Sequence, residues 1–176
     1  MRRLVTLSAI ALAALPGLAR AAEPACLTPA EFTALSTFAM PSIINGTAAR
    51  CAPNLPADAY LKRSGGQLAA RYAQIRPAAW PSAKPAVLKL AASGSAQAAD
   101  LIRSMPDANL QQMADAFIEG LVTQRVPAAR CGAIDRLVRL LSPLPPENAA
   151  EVIALAVGLT SKAGRARFGN LSICQA

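Results

Sequence analysis

The side chains that could perform nucleophilic catalysis are few, because the chain contains no histidine. Ser-His-Asp and Cys-His catalysis, histidine-ligated zinc and histidine-ligated haem are therefore excluded. Ser82 and Lys84 have the spacing of a Ser-x-Lys pair, in which a desolvated lysine could activate the serine hydroxyl. The same Ser82 follows Pro81 and suits the N-cap position of a helix. We favour the cap, so no catalytic residue is assigned.

Two acidic residues offer a second route to catalysis. Asp115 and Glu119 lie four residues apart and share one face of a predicted helix, where they could act as general acid and base if they converged in a pocket. The periodicity around them predicts the opposite face as the buried one, formed by Leu110, Met113, Ala114, Phe117, Ile118 and Leu121. A hydrolase that uses a Ser-Lys or carboxylate site without histidine is thus the alternative hypothesis.

The four cysteines, Cys26, Cys51, Cys131 and Cys174, lie at least 25 positions apart, and no Cys-x-x-Cys motif is present. Zinc and redox sites usually show such local pairs, so neither a metal nor another cofactor is expected. Two structural disulfides are the simplest arrangement in an oxidising compartment, and three pairings are possible. We favour Cys26–Cys51 with Cys131–Cys174, because each pair brackets a continuous helical region.

Residues 1–21 have the three parts of a cleaved Sec-type signal peptide. Two arginines near the start supply positive charge, residues 4–15 form a short apolar run, and Ala19-Arg20-Ala21 places small residues where a signal peptidase reads them. The run is shorter than the roughly 20 residues that span a bilayer. We therefore expect a bacterial protein that is periplasmic or secreted, without a transmembrane span in the mature chain, and with one domain over residues 22–176.

The composition favours helices that pack closely through small side chains. Hydrophobic residues make up 53% of the chain but aromatic residues only 4%, and alanine, the strongest helix former, supplies much of the apolar content. The 14 prolines argue against a few long helices. The prediction is an all-α fold, an irregular or orthogonal bundle of about six to eight short helices that is stabilised by disulfides.

The clearest helix start is a capping box of Thr28 and Glu31, with a proline at the first helical position between them. This helix is predicted to stop or kink at Pro41, with a second short helical piece over residues 42–50. Three closely spaced prolines further along the chain predict a bend, and the helix after the bend is predicted to begin at Ser82.

Two groups of residues are candidates for binding. The aromatic residues could line an apolar groove between helices, although scarce aromatics in an alanine-rich bundle more often fill its core. They are Tyr60, Tyr72, Trp80 and Phe117, with Phe168 in the tail. Lys162, Arg165 and Arg167 form the densest basic cluster of the mature chain and could contact an anionic partner. These three residues follow a predicted helix C-terminus, where cations stabilise the helix dipole, so the cluster needs no partner to account for it.

The net charge narrows the class of partner. The chain has 18 Lys and Arg against 10 Asp and Glu, and removal of three arginines with the leader leaves 15 against 10. This modest excess, the few aromatic residues and the lack of a basic arm make nucleic acid a poor partner. The leading hypothesis is an exported, non-catalytic binding or envelope-support protein, whose partner is an envelope protein, a peptide, an apolar ligand or an anionic envelope component.

The signal-peptide interpretation predicts that the exported protein begins near Ala22. When the chain is expressed with its leader in a bacterial host, the protein in the periplasm or medium should have an intact mass that lacks residues 1–21, within a residue or two. Mass spectrometry of the separated fractions makes this measurement. A mass that still includes residues 1–21 would contradict export with cleavage.

Overall fold

The computed structural model of the chain describes residues 26–92, 96–160, 167–168 and 171–174. These residues contain seven α-helices: α1 (Pro29–Cys51), α2 (Tyr60–Ala73), α3 (Arg76–Ala92), α4 (Ala96–Arg103), α5 (Asp107–Arg125), α6 (Cys131–Leu141) and α7 (Pro146–Thr160). Two 3-10 turns, Ala52–Asn54 and Ala128–Arg130, follow α1 and precede α6. Two two-residue strands, β1 (Arg167–Phe168) and β2 (Leu171–Ser172), pair antiparallel. The predicted all-α bundle with disulfides is confirmed.

Helix α1 lies at the centre of the bundle and packs against α2, α3, α5 and α7. It begins as predicted, because the Glu31 N–H donates to the Thr28 hydroxyl at 3.2 Å and the Thr28 N–H donates to the Glu31 carboxylate at 2.9 Å. Lys89 of α3 donates to the same carboxylate at 2.7 Å and holds the pKa of Glu31 below its usual value. The start of the central helix is thereby tied to α3.

The predicted stop at Pro41 is wrong, because α1 continues through this residue to Cys51. A proline inside a helix removes one backbone hydrogen bond and costs about 3 kcal/mol or more. Packing by four surrounding helices supplies more stabilisation than local propensity does, and it holds both halves of α1 together. Residues 42–50 therefore extend the central helix rather than forming a separate one.

The predicted bend in the proline-rich segment is also wrong, because α3 is continuous. Its three prolines, Pro77, Pro81 and Pro85, lie at four-residue spacing on one exposed face of the helix. Water can reach that face and bond to the carbonyls that the prolines leave without a partner. Ser82 is consequently an exposed residue inside α3, not the N-cap of a helix.

The disulfides join Cys26 to Cys174 and Cys51 to Cys131, so the favoured pairing is wrong. Because α1 is unbroken, its 23 residues extend over about 34 Å, which separates Cys51 at its end from Cys26, three residues before its start. The Cα atoms of bonded cysteines lie within about 7 Å, as they do here at 5.1 and 5.4 Å. The bonds close loops of 148 and 80 positions, and chain entropy makes each worth at most about 5 kcal/mol.

Three clusters of buried side chains form the core over the described residues. The first packs the second half of α1 against α2, α6 and α7, and includes Met40, Ile44, Cys51, Leu61, Leu68, Tyr72, Cys131, Ala149 and Ala150. The second packs α1 against α3 and α5 through Phe38, Trp80, Ala83, Val87, Leu110 and Ala114. The third consists of Leu27, Phe32 and Ala86, with Ile173 packed against it. We call this third group the N-terminal cluster.

Gly46 allows α1 to approach α5 closely. A Cβ at this position would lie 3.1 Å from the Glu119 carbonyl oxygen and 3.2 Å from the Val122 Cβ. A side chain there would have to displace the backbone of a packed helix, so only glycine fits without movement. Gly46 therefore contributes to the packing of α1 against α5.

Gly46→Ala is expected to lower the free energy of unfolding by about 1–3 kcal/mol, because the added methyl group forces α1 and α5 apart. Gly66→Ala is the matched control, since a Cβ at Gly66 in α2 meets no atom within 4 Å. Alanine favours a helix, so this control should raise the free energy of unfolding by up to about 1 kcal/mol. Urea unfolding followed by circular dichroism measures both, and equal shifts would contradict the close α1–α5 contact.

Candidate functional site

Ser82 and Lys84 do not face each other in the structure. They lie two residues apart inside α3, and residues at this spacing point to different sides of a helix. Lys84 Nζ donates to Asp107 Oδ1 at 2.7 Å, and Trp80 Nε1 donates to the other oxygen of that carboxylate at 2.9 Å. The hydrogen bonds from Lys84 and then Trp80 lower the pKa of Asp107. Lys84 therefore links α3 to the first residue of α5.

Asp115 and Glu119 do come together, in a cavity of about 350 Å³ that is bounded by α1, α2, the start of α3, and α5. We call it the α2–α5 cavity. Its polar lining consists of Ser42, Asn45, Arg76, Asp115 and Glu119. The rest of the lining is apolar or lacks a side chain: Pro41, Gly66, Ala69, Ala70 and Ala73.

Asp115 is the centre of a hydrogen-bonded group that joins three helices. Ser42 Oγ of α1 donates to Asp115 Oδ1 at 2.6 Å, and Arg76 Nη2 of α3 donates to both carboxylate oxygens, at 2.7 and 2.8 Å. The side chains of Arg76 and Asp115 are only 19% and 26% exposed, and the Arg76 guanidinium lies 4.1 Å from the Phe38 ring centroid. In such a position each charge depends on the other for stabilisation.

This arrangement holds helices together and presents charge, and it does not activate a nucleophile. The Ser42 hydroxyl is buried, and the Asp115 carboxylate that it faces already accepts two further hydrogen bonds from Arg76. Glu119 lies one turn further along α5, is partly buried, and makes no hydrogen bond or ion pair through its carboxylate within the described part of the chain. The lining thus carries one negative charge without a partner.

Helix α5 turns a different face to the core from the one that its periodicity predicts. Leu110 and Ala114 are buried as predicted, but Phe117 is 62% exposed, and Met113 and Leu121 are each more than a third exposed. Asp115 must reach Arg76 and Ser42, and α5 must lie close to α1 at Gly46. These two contacts fix the rotation of α5, so the prediction that the acids lie on the solvent face is wrong.

Two members of the group, Ser42 and Arg76, carry only weak signals in the sequence. Ser42 is a hydroxyl residue within an apolar run. Arg76 is a cation at the start of a helix, where the helix dipole disfavours it, so its position indicates an acid nearby. Neither signal identifies Asp115, which is 39 positions from Arg76 and 73 from Ser42.

The four aromatic candidates occupy different surroundings and do not share one groove. Tyr72 is buried in the first core cluster, donates its hydroxyl to the Leu144 carbonyl at 3.0 Å, and has its pKa raised by burial. Trp80 is buried in the second cluster against a phenylalanine of α1, with ring centroids 5.0 Å apart. Tyr60 is partly buried beside a second cavity, and Phe117 is exposed on α5.

The second cavity, of about 440 Å³, lies between α2 and α6. Asp135 of α6 accepts the Tyr60 N–H at 3.3 Å and the Leu61 N–H at 2.7 Å, so it caps α2, which has no capping side chain of its own. The charged lining residues are Asp58, Arg63, Asp135 and Arg139. Their charges balance, and the Asp135 carboxylate already accepts two backbone hydrogen bonds from the start of α2.

Several candidates lie outside the described residues. Among them are Lys162 and Arg165 of the basic cluster and residues 1–21 of the predicted signal peptide. Of Arg167 and Phe168 only the backbone, in β1, is described. The signal peptide and the anionic contact through the basic cluster therefore remain predictions.

Of the helices that the structure describes, none combines the length and the apolarity needed to cross a bilayer. Within the same ranges, no three His, Cys, Asp or Glu residues are grouped so that they could hold a metal ion. No family model, curated protein or solved structure matches this chain.

Asp115→Asn is expected to lower the free energy of unfolding by about 2–3 kcal/mol, because Arg76 would keep its partly buried charge without a carboxylate. Asp100→Asn is the control, since Asp100 is 76% exposed and pairs with Arg103 in the next turn of α4. That change should cost less than about 0.5 kcal/mol. Urea unfolding measures both, and a small loss of similar size in the two variants would show that the Asp115 group does not join the helices.

Proposed function

We propose that this protein is an exported, non-catalytic binding protein that holds its ligand in the α2–α5 cavity. The observation that supports the proposal is the convergence of polar side chains from α1, α3 and α5 on one depression. Among the described residues that line it, Glu119 alone carries a charge without a partner. Concave sites with a few convergent polar groups are the usual places for ligand binding.

The charge of the lining favours a ligand with a cationic group. Arg76 and Asp115 neutralise each other, and the Glu119 carboxylate is left for an ammonium. The exposed amide of Asn45 lies in the same lining and offers an additional acceptor. A charge-assisted hydrogen bond to a carboxylate is roughly twice as strong as one between neutral groups.

The wall formed by α2 consists of small residues and leaves room for an alkyl chain. Gly66, Ala69, Ala70 and Ala73 recur at helical spacing along one side of the cavity, so no long side chain from α2 fills it. A narrow alkyl chain fits such a wall. The ligand that we propose is therefore an alkylammonium group, either on a lysine side chain of a peptide or on a small free amine.

The Asp115 group prepares this cavity for binding. Its hydrogen bonds hold α1, α3 and α5 in place before a ligand arrives, so little ordering of the protein is needed on binding. The two disulfides agree with a protein that works outside the cytoplasm, where such bonds persist. The hydrolase alternative has less support, because Lys84 bonds to Asp107 and Asp115 is occupied by Arg76.

Isothermal titration of the mature protein with 1,5-diaminopentane and with a lysine-containing peptide tests the proposal, with an anionic peptide and a fatty acid as comparison probes. We expect binding of an amine probe that weakens at least tenfold in Glu119→Gln. Glu151→Gln, an exposed acid of α7, makes the same change in charge elsewhere and should bind as the wild type does.

A second pair of variants tests whether the ligand binds in the α2–α5 cavity. Gly66 lines the cavity, so Gly66→Phe should fill it and abolish binding. Gly120 of α5 lies outside the lining, so Gly120→Phe should not affect binding. A Cβ atom added at either glycine would meet no other atom within 4 Å, so both positions have room for a side chain. Equal binding by these two variants would place the ligand elsewhere. Binding of the fatty acid or anionic peptide alone would overturn the cationic ligand, and no binding by any probe would overturn the binding function.

A further inference from the structure

The two disulfides differ sharply in exposure. Cys51 and Cys131 are 0% and 1% exposed and lie within the first core cluster. Cys26 and Cys174 are both partly exposed. Thiol–disulfide exchange requires a thiolate to reach one of the two sulfurs, so its rate depends on access. A reductant in solution should therefore meet Cys26–Cys174 long before it reaches Cys51–Cys131.

The partly exposed disulfide, Cys26–Cys174, holds one short segment against the start of α1. The Cys174 N–H donates to the Leu27 carbonyl at 2.7 Å, and Leu27 pairs with Ile173 in a parallel β-bridge. Ile173 packs on the N-terminal cluster, in which Leu27 is fully buried and Phe32 nearly so. The segment 171–174 thus covers apolar side chains at the beginning of the central helix.

We propose that Cys26–Cys174 is a redox latch, which a dithiol reductant of the thioredoxin-like class opens while Cys51–Cys131 stays closed. One thiolate of the reductant attacks one sulfur of the latch, forms a mixed disulfide and releases the other sulfur as a thiolate. The second thiol of the reductant then attacks the mixed disulfide. Cys26 and Cys174 end as two thiols, and the reductant ends as an internal disulfide, so two electrons and two protons have passed to the latch.

Opening the latch affects the segment 171–174 and leaves the bundle in place. The start of α1 keeps its capping box and the ion pair of Glu31 with Lys89, neither of which involves the latch. The end of α1 remains bonded to α6 through the buried disulfide. Once the covalent bond is cut, the segment is no longer tethered to the start of α1 and gains chain entropy, and Leu27 and its neighbours become open to water.

Stepwise reduction of the full oxidised protein with dithiothreitol tests the latch. Free thiols are trapped with iodoacetamide and assigned by peptide mass spectrometry. We expect Cys26 and Cys174 to be alkylated at least tenfold faster than Cys51 and Cys131. Simultaneous reaction of all four cysteines, or earlier reaction of the buried pair, would overturn the proposal.

Hydrogen exchange of the selectively reduced protein tests the opening itself. At short labelling times the amide of Cys174 and the peptides that contain Leu27 should exchange at least tenfold faster than in the oxidised protein, while the peptides of α2 and α5 remain protected on that time scale. Cys26→Ala combined with Cys174→Ala should reproduce this pattern without any reductant. Unchanged protection of the Cys174 amide after reduction would show that the bond does not act as a latch.

Discussion

Burial of α1 on every side of its middle turns is the constraint on which the rest of the structure depends. A helix enclosed by α2, α3, α5 and α7 cannot rely on one apolar face, so its sequence mixes small, apolar and hydroxyl side chains around the whole circumference. Each surrounding helix needs only one inward side, which explains how short helices with many prolines and alanines still form a stable bundle. All three core clusters either contain residues of α1 or lie at its beginning.

The same constraint creates the polar site. Ser42 is a hydroxyl residue buried in the middle of α1, and Asp115 satisfies it by turning inward, with Arg76 balancing the charge. Because α5 is rotated by this contact, Glu119 follows Asp115 into the α2–α5 cavity, and Phe117 is left in water. Stability and the proposed ligand recognition are therefore coupled here, because the contact that fixes the helix also decides which charge the cavity presents.

The parts of this fold that local chemistry determines are the parts that the sequence predicts. The capping box of Thr28 and Glu31, the helical class and the presence of two disulfides follow from residue types and short spacings. Pro41 misleads, because tertiary packing outweighs a local helix breaker. That one error also produces the wrong disulfide pairing, since a chain that folded back at Pro41 would bring Cys26 near Cys51. The partners of Asp115 are too distant in sequence for spacing to reveal them.

The nesting of the disulfides has a consequence for the integrity of the molecule after damage. The loop closed by Cys51–Cys131 lies inside the loop closed by Cys26–Cys174, so the backbone from 26 to 174 is a covalent ring with one internal cross-link. A single peptide-bond cleavage anywhere in this ring releases no fragment. Two cleavages also leave one molecule when one falls between 51 and 131 and the other outside that stretch. In its oxidised form the protein can thus be nicked by a protease and still keep every helix attached.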